Sequence, residues 1–256
     1  MINYKLILLI YSPVLVMLLA LLLRDKFEPS NESLKTCKWS LIPAIIAIGF
    51  VETNIIAFAI LNQIVALRKY QFNPFLLEIL AFISYCLVLI LSFTLLRYGY
   101  KVSIIGVFQL RLNLLPFILK IGAILSIVNI LSIYFLDLNI MAGPLKGGLE
   151  LIKSMRPKTF VLFGFVTIIL APIVEEIVYR GLLYVPLHRK IGRYGAIILS
   201  ALVWSYVHHF PSLLAIIGTF IFGLILGWLY DRSGSLVPPI IFHAFKNSWI
   251  LVYYFR

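Results

Sequence analysis

Residues 159–185 read TFVLFGFVTIILAPIVEEIVYRGLLYV. At about 1.5 Å of rise per residue, a helix of this length crosses a hydrocarbon core of about 30 Å. A continuous apolar run also lacks the inside-outside alternation of a barrel strand. The stretch is therefore a membrane helix, and one that carries Glu175, Glu176 and Arg180 within it. Outward from it, comparable runs recur at about Leu6 to Leu23, Leu41 to Leu67, Pro74 to Leu96 and Leu114 to Leu136. Shorter ones follow at Tyr194 to His209, Leu213 to Tyr230 and Leu236 to Phe255. The expected fold is all-α, a polytopic membrane helix bundle with about eight transmembrane helices.

Composition agrees with this reading. Of 256 residues, 62% are hydrophobic and only 12% are charged, with a mean hydropathy of +1.04. A water-soluble globule of that composition would expose apolar patches that aggregate, whereas lipid-facing side chains need no burial. Residues 1–256 are expected to form a single integral membrane domain, with N-terminal helices over 1–158 and the motif-bearing helices over 159–256. The run after Lys5 meets Arg24 without a small-residue cleavage pattern, so it is taken as a first helix rather than a signal peptide. Charged, Gly- and Pro-containing segments around 25–38 and 143–158 are loops. Cys37 and Cys86 give no disulfide framework.

The net charge of +12 would suggest nucleic acid in a soluble protein. Here, basic loops facing anionic lipid account for it, so the bilayer is the expected partner and nucleic acid is not. The side carrying the expected loop of Arg189, Lys190 and Arg193 holds eleven Lys and Arg against eight on the other. The positive-inside rule puts that side in the cytoplasm.

Charge inside a span costs at least a few kcal/mol, so each such residue asks for a partner or a function. Glu176 and Arg180 are four apart and can pair, while Glu175 lies about 100° round the helix and is left over. A spare carboxylate in a low-dielectric bundle suits a general base or a proton carrier. Pro172 lacks an N–H and leaves the carbonyl of Ile168 without its helical donor, predicting a kink just before the acidic pair. His208 ends the sixth run, and His243 and Asn247 share a face of the eighth. Counted from the helix ends nearest the Arg189 and Arg232 segments, Glu175 lies about 18 Å deep, His208 about 21 Å, His243 about 10 Å and Asn247 about 16 Å. All four can line one cavity opening to the cytoplasmic side.

In order, these residues form EExxxR, then an aromatic four residues before His, then HxxxN. The pattern resembles the CPBP (Abi) family of intramembrane proteases, which includes the type II CAAX prenyl endopeptidases. The resemblance runs from about Pro172 to Asn247, and Trp204 stands where the family usually has Phe, an exchange expected to affect packing more than chemistry. It implies that Glu175 and His208 activate the attacking water, that His243 and Asn247 stabilise the oxyanion, and that Glu176 with Arg180 is a structural ion pair. The implied substrate is a membrane-anchored peptide or protein, lipidated and CAAX-like in one branch. The short loops fit a bacterial plasma-membrane protein. Peptide hydrolysis needs a base for water and donors for the developing charge, and this set covers both. A divalent metal such as zinc stays open, because one Glu and two His could supply three ligands, although HExxH is absent.

The bland readings are a buried ion network for Glu175, Glu176 and Arg180, and interhelical hydrogen bonding for His243 and Asn247. His209 receives no role, and Lys246 is expected to face elsewhere or snorkel. Glu52, Glu78 and Lys120 are expected to partner one another or a loop. Gly223 and Gly227 make a groove for close helix packing, and Trp39, Trp228 and Tyr230 fit an interfacial belt. The rival functions are a non-catalytic scaffold, a bacteriocin self-immunity factor, and a proton-coupled transporter. The transporter is disfavoured by the lack of a visible inverted repeat.

Overall fold

The computed structural model describes residues 40–53, 74–95, 97, 155–208 and 213–254. Every element among them is helical, and there is no strand. The elements are α1 (Ile42–Thr53), α2 (Pro74–Thr94), α3 (Pro157–Phe165), α4 (Ala171–Glu176), α5 (Val185–Val207), α6 (Leu213–Ser233) and α7 (Val237–Tyr254). Two π segments, Val166–Leu170 and Ile177–Tyr184, join α3 to α4 and α4 to α5 without interrupting the helical path. The expected helices at 6–23 and 114–136, together with Lys120, His209 and Trp39, lie outside the described residues.

Polarity is inverted relative to a soluble protein. Val161, Ile90 and Ile221 are 69%, 61% and 51% exposed, while Glu176 and Arg180 are fully buried. Apolar outside and ionic inside is the arrangement that lipid permits and water does not. Among the described residues, three helices are long and apolar enough to cross a membrane: Phe75–Thr94, the continuous stretch Pro157–Val207, and Ile216–Ser233. The molecule is thus an integral membrane protein. Its core lies where α4, the second π segment, α5, α6 and α7 meet.

Helix ends follow local chemistry. Pro157 occupies the first turn of α3, where its missing N–H costs nothing. The segment around Arg189, expected as a loop, is helical, and the chain turns at Gly192 alone, with φ 77° and ψ 177°. Only glycine adopts that conformation without strain, so one residue does the work expected of a loop. Helix α6 likewise continues past Tyr230 to Ser233 and stops at Gly234 (φ 61°), whose N–H bonds to the Tyr230 carbonyl at 2.8 Å. Ser235 then caps α7 through its hydroxyl to the Val237 N–H.

Tyr230 is buried rather than interfacial, packed edge-on against Tyr184 at 5.3 Å between centroids. The Tyr184 hydroxyl donates to Asp231, which also accepts from Arg193. This cluster fastens the Gly192 turn to the end of α6. Trp228 is 38% exposed and keeps the place expected of it near a helix end. Gly223 meets α5 closely: a Cβ there would come within 3.0 Å of the Ala201 Cβ and 3.1 Å of Trp204. The groove expected from Gly223 and Gly227 is therefore used, with Ile197 lying over Gly227.

Candidate active site

Pro172 shapes the helix that carries the two carboxylates. Its ring cannot donate, and the helix widens ahead of it into the Val166–Leu170 π segment, where the Ala171 N–H reaches back five residues to the Val166 carbonyl. In that register the carbonyl opposite Pro172 is Thr167, not Ile168 as α-helical spacing predicts. The Asn247 side chain supplies the missing donor, its Nδ2 lying 2.9 Å from the Thr167 oxygen. Segments of π-helix of this kind recur at functional sites because they rotate the side chains that follow.

Glu175 and Glu176 then face different partners. Glu176 is fully buried, pairs with Arg180 at 3.1 Å as expected, and accepts from or shares a proton with His243 Nδ1 at 3.0 Å. Arg180 is held further by the Gly223 carbonyl at 3.2 Å and by the Trp204 ring, 5.2 Å from its guanidinium carbon. These extra contacts share the charge of the buried pair, while Glu176 Oε2 and Arg180 Nε make no hydrogen bond among the described residues.

Glu175 is partly exposed. Its Oε2 accepts the Trp204 indole N–H at 2.7 Å, and its Oε1 accepts the Tyr85 hydroxyl at 3.3 Å. The Nε2 atoms of His208 and His243 both face Oε2, at 3.7 and 3.9 Å. His208 Nδ1 lies 2.7 Å from the Trp204 carbonyl. A carbonyl only accepts, so Nδ1 carries the hydrogen and Nε2 is the nitrogen left for chemistry.

The structure thus brings Glu175, His208 and His243 together and seats Asn247 on the π segment beside them. Trp204 corrects its expected role. Besides packing edge-on against His208 and His243 at 4.6 and 5.4 Å, it donates a hydrogen bond that Phe could not make. Lys246 also departs from expectation, because its ammonium lies 4.4 Å above the Phe222 ring within the bundle. Glu52, on α1, lies within electrostatic reach of Tyr179 and Tyr206.

A cavity of about 220 Å³ opens beside Glu175, lined by His208, Tyr179 and Tyr85 and by Val51, Val174, Val178 and Val207. It holds a carboxylate and an imidazole against an otherwise apolar wall, the form of a site that positions a small reacting group. The residues missed from sequence are Tyr85 and Tyr179. Tyr85 lies ninety positions from Glu175, with no spacing to tie it to the motifs. Tyr179 was inside the decisive stretch, one turn from Glu175, but a tyrosine in an apolar run reads as packing.

Among the described residues, no three His, Cys, Asp or Glu side chains are arranged to hold a metal ion. Glu175 Oε2, the atom both imidazoles face, also accepts an indole N–H.

Residues 157–249 match the family described as type II CAAX prenyl endopeptidase Rce1-like. This is the same group of proteases that the three motifs resemble, and the match takes in both carboxylates, both histidines and Asn247. No curated protein and no solved structure matches the chain.

Proposed function

We propose that the protein is an intramembrane endopeptidase that hydrolyses a peptide bond in a membrane-anchored substrate, with water activated by Glu175 and His208. The observation that carries this reading is one cavity bordered by both groups, in which the tautomer of His208 turns Nε2 toward the carboxylate. At 3.7 Å the two groups are too far apart for a direct hydrogen bond, so a water between them can donate to each. That water attacks the carbonyl carbon as Glu175 takes its proton. The tetrahedral oxyanion forms, the C–N bond breaks, and the proton passes to the leaving amine.

His243 and the second amide N–H of Asn247 are proposed to favour the oxyanion. Glu176 and Arg180 hold these groups in place. The Rce1-like match supports a CAAX-like lipidated substrate, and the excess of basic residues on the Arg189 side supports a site open to the cytoplasm of a bacterial cell.

The test compares new peptide termini in membranes of cells carrying the wild-type protein or Glu175→Ala. The expected result is a set of termini that disappears with the carboxylate and identifies the substrate. Identical profiles from a variant that inserts normally would reject the protease and return the scaffold and transporter readings.

A further inference from the structure

Resting on that reading, we infer that Tyr179 is a further catalytic residue, whose phenol donates a hydrogen bond to the substrate carbonyl as it becomes the oxyanion. Three observations lead there. First, Tyr179 is 2% exposed, and its hydroxyl has no hydrogen-bond partner among the described residues. A buried unpaired hydroxyl destabilises a fold, so one that is kept calls for a function. Second, Tyr179 lines the cavity shared by Glu175 and His208, and its phenol lies within electrostatic reach of Glu175 and Tyr85.

Third, the other donors in the described lining of the cavity are already engaged. His208 gives its Nδ1 hydrogen to the Trp204 carbonyl, and neither His243 nor Asn247 is among that lining. Tyr85 lines it, but its hydroxyl is given to Glu175. Tyr179 is therefore the donor beside the cavity that the described fold leaves unpaired; its hydroxyl is enclosed, and a small rotation of the phenol carries it to the substrate carbonyl. Its position one turn after Glu175 places donor and base on one helix face, so a carbonyl can meet both at once. The phenol only donates, and no proton leaves it during the reaction.

The experiment follows the initial rate at which Glu175-dependent peptide termini appear in membranes containing wild-type protein, Glu175→Ala or Tyr179→Phe, with the melting temperature of each full-length protein measured in detergent. Tyr179→Phe keeps the ring and removes only the hydroxyl. The expected result is a rate lowered about 10²-fold or more, the usual effect of losing one oxyanion donor, with melting unchanged or raised because an unpaired buried group has gone. A rate within about tenfold of wild type overturns the role of Tyr179 and leaves the protease reading intact. A lower melting temperature overturns it as well, since the hydroxyl would then be paired within the fold. If no termini depend on Glu175, the protease reading itself falls, and the role of Tyr179 falls with it.

Discussion

A single indole nitrogen decides how the candidate base is held. Trp204 Nε1 donates to Glu175 Oε2 while the same ring packs on both histidines, so orientation of the carboxylate and spacing of the imidazoles depend on one side chain. Trp204→Phe preserves an aromatic ring but removes the donor. Hydrogen bonds to charged groups contribute about 1.5–3 kcal/mol, so cleavage by this variant should fall about tenfold or more, measured as the rate of Glu175-dependent termini. A rate within twofold of wild type would show that the indole N–H does nothing for the base. With no three His, Cys, Asp or Glu side chains arranged to hold a metal among the described residues, cleavage should persist in a strong zinc chelator, and a loss restored by added zinc would instead make Glu175, His208 and His243 its ligands.

Among the elements, the helix carrying the acidic pair is shaped by what its backbone lacks. Pro172 cannot donate, the turn before it widens, and Asn247 of α7 bonds to the carbonyl left behind. Two consequences can be checked together by thermal melting. Asn247→Ala should cost about 1–3 kcal/mol by leaving a buried carbonyl unpaired. Adding Pro172→Ala to it should recover part of that loss, because the new N–H can take the Thr167 carbonyl. The coupling should be on the order of 1 kcal/mol, and strict additivity would mean that proline and asparagine act independently. The same logic explains why α5 and α6 sit so close. Gly223 removes a Cβ that would strike Ala201 and Trp204, and the approach lets its carbonyl reach Arg180.

Across the whole molecule, Arg180 is the point where the described helices converge. It is fully buried, pairs with Glu176 on its own helical stretch, reaches the backbone of α6, and lies over the Trp204 ring of α5. Glu176 in turn contacts His243 of α7. Arg180→Met keeps much of the side-chain volume but leaves the Glu176 carboxylate without its guanidinium. Breaking a buried pair on one side costs about 3–5 kcal/mol, so this variant should melt well below wild type in detergent. Glu175→Ala should not, because its carboxylate is bound by two neutral donors and is open to the cavity. Similar melting for Arg180→Met and wild type would remove the pair from its structural role.

By itself the sequence determined that this is a helical membrane protein, because long apolar runs have one stable form in lipid. It also determined that Glu176 pairs with Arg180, because a four-residue spacing puts both on one face. Rotation about each axis and contacts between distant helices follow no such rule. The tertiary structure alone decided that Tyr85 and Trp204 hold Glu175, that His243 joins the two carboxylates, and that the Arg189 segment is helix up to a single glycine turn. It also moved the unpaired carbonyl from Ile168 to Thr167. A π turn changes the register by one residue, and only packing against Asn247 shows which carbonyl is left to bond.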